Sequence, residues 1–275
     1  MATSIPLLKT LEITLSRTGV AELAFNTPAR YNALSPQVYR DWLEAIQWAS
    51  KCNDVKVTVI TGRGKYYTSG KELMEPDLSP EGLETTKKRR LVSKTLVDEL
   101  IKFPKLLIGA VNGPAIGFGV TSLALCDVIY SVPEATFTTP FMKLAFCAEG
   151  CSSVLFPRIM GSSKANEMLL MGRTFTADEL ERCNFISRLI PKDSFRTDVL
   201  ALAEDAAKFS VEAMKVTKEL VRGVDRDLLL EVNDVEMKRL TEIMASKESQ
   251  DRVMQFVNDA KKKKAAKLAK NSSKL

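Results

Sequence analysis

A single carboxylate, Glu149, stands in Phe146-Cys147-Ala148-Glu149-Gly150-Cys151-Ser152-Ser153, a segment with almost no other charge. From Phe137 to Val154 the one other charged residue is Lys143. A carboxylate among Phe, Leu, Ala and Cys is a candidate general base, because desolvation raises its pKa towards the working pH. The chain has no histidine. A Ser-His-Asp or Cys-His mechanism is therefore excluded, as is a His-ligated metal site. Cys147 and Cys151 flank Glu149 without the other ligands that zinc needs, so no metal is expected. Acid–base chemistry in this chain falls first to Glu149.

Two other segments have the residue types to hold a developing negative charge. They are Tyr66-Tyr67-Thr68-Ser69-Gly70-Lys71-Glu72-Leu73 and Asn112-Gly113-Pro114-Ala115-Ile116-Gly117-Phe118-Gly119. Each follows an apolar run and opens towards a helix, which leaves backbone N–H groups unpaired. Two such donors converging on one carbonyl oxygen make an oxyanion hole. Either segment alone reads first as a tight turn. Neither fits G-x-G-x-x-G or G-x-x-x-x-G-K-[ST].

The elements that must carry these loops follow an α/β order. Leu11 to Phe25 reads as two short strands around Ser16-Arg17-Thr18-Gly19. Ser35-Pro36 supplies an N-cap and a first-turn proline for a helix to about Lys51, with Trp42, Ala45, Ile46 and Ala49 at helical spacing. Val55–Thr61, Leu106–Val111 and Val128–Val132 are compact apolar runs expected as buried strands. A helix from the early 80s to Lys102 separates the first two, and a turn with a short helix over Gly113–Leu125 separates the second pair. After Ser162 the pattern is mostly helical, in segments near Ser163–Met171, Ala177–Cys183, Ser194–Phe209, Glu212–Val221, Arg226–Met244 and Gln250–Ala260.

The two glycine loops, their spacing and the following Cys126-Asp127-Val128-Ile129-Tyr130 resemble the crotonase (enoyl-CoA hydratase/isomerase) superfamily, from about Leu11 to about Leu220. Pro28-Ala29-Arg30-Tyr31-Asn32-Ala33-Leu34-Ser35 looks like that family's first CoA-contacting turn. Ala135-Thr136-Phe137-Thr138-Thr139-Pro140 looks like its strand before the catalytic loop. The resemblance implies an α/β crotonase-like spiral of ββα repeats with a C-terminal helical oligomerisation region. The division it suggests is 1–205 for the spiral core, 206–260 for the helical region and 261–275 for a basic tail. It also implies assembly into a homotrimer or homohexamer.

Within that family, hydratases use two glutamates, at positions held here by Thr121 and Phe141. With both absent, hydration is not expected. The single Glu149, with Phe156-Pro157 after it, resembles the peroxisomal Δ3,Δ2-enoyl-CoA isomerases. The implied site has Glu149 as the base and the backbone N–H groups of Lys71 and Phe118 as the oxyanion hole. Ser69, Gly70, Lys71, Glu72, Leu73 and Phe118 border the substrate, an acyl-CoA thioester, and no separate cofactor is implied. Lys71 and Arg30 either meet CoA phosphates or are solvated cations. Ser93 or Thr95 either reaches Glu149 or lies on a helix surface, and Phe118 and Phe141 either wall the acyl site or pack the core. Other crotonase activities (dienoyl-CoA isomerase, hydratase, thioesterase) and a non-catalytic acyl-CoA-binding module are the alternatives.

Composition sets the remaining bounds. The 275 residues are 45% hydrophobic and 27% charged, the balance of a globular protein. No apolar run approaches the roughly 20 residues of a membrane span, and Met1 to Thr10 lacks the pattern of a secretory signal. Five scattered cysteines fit reduced, buried thiols rather than a disulfide framework. The net charge of +6 belongs to the tail: residues 261–275 hold seven lysines and no acid, and without them the charge is −1. With no aromatic interleaving and no basic face in the body, nucleic acid is not an expected partner. The chain ends in Ser273-Lys274-Leu275. This is the peroxisomal address read by an import receptor, and a given tripeptide ends a chain by chance with a frequency on the order of 10⁻⁴. The expected location is the peroxisome matrix.

Overall fold

The computed structural model describes residues 4–75, 77 and 79–272, with side chains to residue 262. The Ser273-Lys274-Leu275 end lies outside the described residues. Strands β1 (Leu11–Leu15) and β2 (Val20–Phe25) form an antiparallel hairpin that pairs Ile13 with Leu23. From β2 the sheet continues in parallel through β3 (Val57–Gly62), β4 (Leu106–Val111), β6 (Val128–Ser131) and the two-residue β9 (Arg188–Leu189). The apolar runs of β2, β3 and β4 are buried almost throughout, as parallel strands covered on both faces require.

The crossovers are helical. α1 (Pro36–Lys51) starts where Ser35 accepts the Val38 N–H and buries Trp42, Ala45, Ile46 and Ala49. α2 (Pro80–Ile101) is capped by Ser79 and packs against α1. α3 (Phe118–Thr121) and a 3-10 turn at Ser122–Leu125 link β4 to β6. Three short strands, β5 (Ala115–Ile116), β7 (Thr136–Thr138) and β8 (Phe175–Thr176), make a second sheet in which β7 is central. The rest is helical: α4 (Ser152–Met160), α5 (Ser162–Leu169), α6 (Ala177–Arg182), α7 (Phe195–Ala207), α8 (Val211–Arg222), α9 (Arg226–Met244) and α10 (Lys247–Ser272).

α7 packs on β2, β3 and β4, while α9 packs on α2. The expected division at residue 205 falls inside α7, and α10 runs on beyond residue 260. Sequence patterning gave no warning of α4, which carries Pro157 inside it. One buried acid on β2 shows how the core tolerates charge. Glu22 is 2% exposed and accepts from Arg63 at 2.9 Å and Arg196 at 2.6 Å. Burial alone would raise its carboxyl, but the hydrogen bonds from Arg196 and Arg63 outweigh it and bring the pKa down to about 2. Among the described residues no helix is long and apolar enough to cross a membrane.

Candidate active site

The two glycine loops are stitched together. Asn32, fully buried, donates from Nδ2 to the carbonyls of Arg63 (2.9 Å) and Tyr66 (2.8 Å) and accepts the Thr27 N–H at 2.9 Å. This anchors the first loop to the Pro28–Ser35 turn. Thr68 donates its hydroxyl to the Asn32 carbonyl at 2.7 Å and accepts the Gly70 N–H at 3.1 Å. It also bridges in parallel to Ala115, with the Ile116 N–H reaching the Thr68 carbonyl at 3.1 Å. Two glycines permit the approach. Gly70 has φ +78° and a Cβ there would lie 2.7 Å from the Ile116 carbonyl oxygen; a Cβ on Gly119 would lie 2.1 Å from Thr68 Cγ2.

One residue beyond each stitch, a backbone donor is left over. At the Leu34–Lys71 bridge, the Gly70 carbonyl and the Glu72 N–H both bond to Leu34, which turns the Lys71 N–H the other way. Phe118 is the first residue of α3, where an N–H has no partner within the helix. Neither N–H donates to another group among the described residues. The Phe118 ring is 2% exposed, 5.5 Å from the Trp42 ring and 5.6 Å from that of Tyr39. Each such aromatic contact contributes about 1 kcal/mol, so the core fixes the backbone that carries this donor.

Glu149 arrives from a third segment, after β7. A 3-10 turn at Met142–Leu144 and left-handed Ala145 turn the chain, and the Phe146 N–H closes it on the Phe141 carbonyl at 2.8 Å. Gly150 (φ +66°) and Cys151 (φ +61°) then bend it into α4, where the Ser152 hydroxyl donates to the Glu149 carbonyl at 2.7 Å. The Glu149 carboxyl accepts no hydrogen bond among the described residues and is half-buried, reached by solvent through a cavity. Burial pushes its pKa up, Lys71 pulls it down and Glu236 pushes it up; the outcome is about 7. Lys71 answers in kind: desolvation lowers its ammonium and Glu149 opposes that. The thiols beside Glu149 are pushed by burial to about 11 at Cys147 and about 12 at Cys151, too high for a thiolate nucleophile near neutrality.

The three segments meet at a cavity of about 500 Å³. Ser69, Gly70, Lys71 and Leu73 line it from the first loop, Phe118 from the second and Glu149 from the third. Phe141 and Phe146 add apolar wall, so Phe118 and Phe141 both pack the core and face the cavity. Leu240 and Met244 of α9 and Arg252, Phe256 and Asp259 of α10 close the remaining side. α10 is seated by buried Val253 and by Ser249, whose hydroxyl reaches the Leu144 carbonyl at 3.4 Å. A smaller cavity of about 240 Å³ between Phe103 and α8 is lined by Lys218 and Arg222, both paired to Asp127.

Several expected neighbours stand elsewhere. Glu72 does not line the cavity; its carboxylate pairs with Arg30, which takes up that cation as well. Ser93 and Thr95 donate to the carbonyls of Arg89 and Leu91 one turn back on α2, so neither orients Glu149. Thr121 is fully buried under Gly150: a Cβ on that glycine would lie 2.9 Å from the Thr121 hydroxyl. Sequence reasoning missed Glu236, and also Asp259, an exposed acid at the cavity rim. Both come from helices far along the chain, and no local motif marks either. Among the described residues no group of three His, Cys, Asp or Glu side chains lies together as a metal site would require.

Comparison with known proteins bears on this geometry. A family model described as Enoyl-CoA hydratase/isomerase matches residues 16–265. Enoyl-CoA delta isomerase 2 of Rattus norvegicus is 38% identical over 243 residues, covering 88% of this chain and 62% of its own length. This chain therefore spans less than two thirds of that relative. Enoyl-CoA delta isomerase 3, peroxisomal, of Mus musculus is 38% identical over 234 residues, covering 85% of this chain and 74% of its own. A crystal structure of an enoyl-CoA hydratase/isomerase from Pseudoalteromonas atlantica T6c superposes with a TM-score of 0.81 at 26% identity, covering 91% of this chain and 98% of that one.

Proposed function

The chain belongs to the enoyl-CoA hydratase/isomerase family and has the crotonase fold, and from that premise we propose that it converts 3-enoyl-CoA to trans-2-enoyl-CoA with Glu149 as sole proton carrier. The observation that carries the reading is one half-buried, hydrogen-bond-free carboxyl raised to about 7 on a cavity shared with the Lys71 and Phe118 loops. The hydratase positions meanwhile hold Thr121 and Phe141.

The chemistry follows. The Lys71 and Phe118 N–H groups hold the thioester carbonyl oxygen, and each such donor is worth roughly 3 kcal/mol to a developing oxyanion. Held this way, the substrate is acidic at C2. Glu149 takes the C2 proton, and the electrons delocalise as a dienolate from the oxygen to C4. The protonated carboxyl then donates at C4, and the double bond settles between C2 and C3. A carboxyl that titrates near 7 both accepts and returns a proton with small driving-force penalties. Water, metal and redox cofactor have no part in these steps, and coenzyme A enters as part of the substrate.

The place of the reaction is the beta-oxidation of unsaturated fatty acids. The Ser273-Lys274-Leu275 end supports delivery to the peroxisome matrix by an import receptor. The exposed apolar side chains of Leu220, Val221 and Val224 support burial in a trimer or a pair of trimers. The test is Glu149→Gln with 3-enoyl-CoA. It keeps acyl-CoA binding and loses conversion by several orders of magnitude, while the wild type adds little water to 2-enoyl-CoA. Turnover of the variant at the wild-type rate refutes the mechanism, and robust wild-type hydration refutes the assigned reaction.

A further inference from the structure

Glu236 sits on α9, outside the cavity lining and 6% exposed. Its carboxylate accepts the N–H of Cys151 at 2.7 Å, the N–H of Ser153 at 3.0 Å and the Ser153 hydroxyl at 2.5 Å. These donors belong to the turn that opens α4, two to four residues after Glu149. The Cys151 thiol reaches the Leu229 carbonyl of the same helix at 3.3 Å. α9 therefore grips the segment directly behind the base at four points, just where Gly150 and Cys151 hold positive φ.

No lysine or arginine pairs with Glu236 among the described residues. Lys71 of the first loop and Tyr39 of α1 face Glu149. Cys147 lies in the field of both acids. Cys151 and Ser153 face Glu236, and Asp98 of α2, the next acid, is occupied by Lys94 and Asn233, each at 2.8 Å. A buried carboxylate with three donors and no cation has its charge stabilised but not neutralised.

We infer that Glu236 is a positioning residue for the reaction: it fixes the Glu149 loop by gripping the start of α4, and its uncompensated charge adds to the basicity that burial gives Glu149. This rests on Glu149 being the base. Burial raises the Glu236 carboxyl and the bonds from Ser153 and Cys151 oppose the rise. Three donors favour the ionised form of Glu236 whereas Glu149 has none, so a charge on Glu236 acts on Glu149 in the same sense as its burial. The repulsion adds to the burial that keeps Glu149 basic, against the pull of Lys71.

The experiment measures the pH profile of kcat/KM for 3-enoyl-CoA in wild type, Glu236→Gln and Glu236→Asp. In the wild type the acid limb lies near pH 7, where Glu149 titrates. Glu236→Gln moves that limb to lower pH and lowers kcat on the order of tenfold, with KM little changed. Glu236→Asp keeps the charge, so its limb stays near the wild-type position while kcat falls. A folded Glu236→Gln whose limb does not move overturns the inference. If that variant does not fold, a carboxyl 13C titration of the wild type decides: Glu236 titrating below Glu149 supports the inference, and Glu236 titrating above it overturns it. An active Glu149→Gln defeats the base assignment itself, whereas an inactive Glu149→Gln beside an unmoved Glu236→Gln limb defeats this inference alone.

Discussion

Replacing Glu149 by glutamine should stabilise the fold, by an amount that grows as pH rises from 4.5 and levels off above 7. In the folded protein its carboxyl titrates near 7, against 4.5 for an ordinary glutamate. Below 4.5 the group is protonated in both states and its shifted pKa contributes nothing. Between the two values the folded state holds a proton that the unfolded state has released, so stability falls as pH rises. Above 7 the full cost of the charge is present, and that difference corresponds to about 3 kcal/mol. Glutamine has nearly the shape of the protonated acid and never ionises. Glu149→Gln should therefore match the wild type near pH 4.5 and exceed it near pH 8.5 by up to about 3 kcal/mol. Lys71 loses a favourable neighbour in the variant, which trims the gain. Urea unfolding of both proteins at the two pH values measures the difference. An advantage independent of pH, or a less stable variant at the higher pH, refutes the claim that desolvation makes this carboxyl a base.

Three other outcomes follow from the geometry. Gly70→Ala puts a Cβ 2.7 Å from the Ile116 carbonyl at a residue with φ +78°; moving the Lys71 N–H in this way should lower kcat on the order of a hundredfold, read by steady-state kinetics. Glu22→Gln removes a carboxyl held at about 2; because that stabilisation is fully present above 4.5 and is lost progressively as pH falls from 4.5 to 2, the variant should lose about 3 kcal/mol at pH 7 in urea unfolding. Deleting Leu275 should leave activity intact and abolish import, scored by microscopy of a tagged chain.

The sequence carries those parts of the fold that local chemistry determines. Ser35-Pro36 marks the start of α1, and the apolar runs of β3 and β4 declare themselves as buried strands. Glu149 stands out because its own segment is nearly free of charge. What was illegible is set at long range. β5, β8 and β9 have two residues each and exist because a distant partner pairs with them. Glu236 lies 85 residues from the Cys151 N–H it accepts, and nothing in α9 distinguishes it from the solvated glutamates nearby. Glu72 read as a substrate neighbour from its loop, but Arg30 on the opposing turn draws it away. Phe256 and Asp259 reach the cavity only because α10 folds back onto the Met142–Leu144 turn.

The most direct measurement of the mechanism follows one proton. A 3-enoyl-CoA carrying deuterium at C2 is turned over by the wild-type protein, and the product is examined by mass spectrometry and NMR. The single-carboxyl mechanism predicts trans-2-enoyl-CoA with part of the deuterium at C4, delivered by the carboxyl that removed it. Recovery of unchanged substrate, or of a 3-hydroxyacyl-CoA, would contradict it.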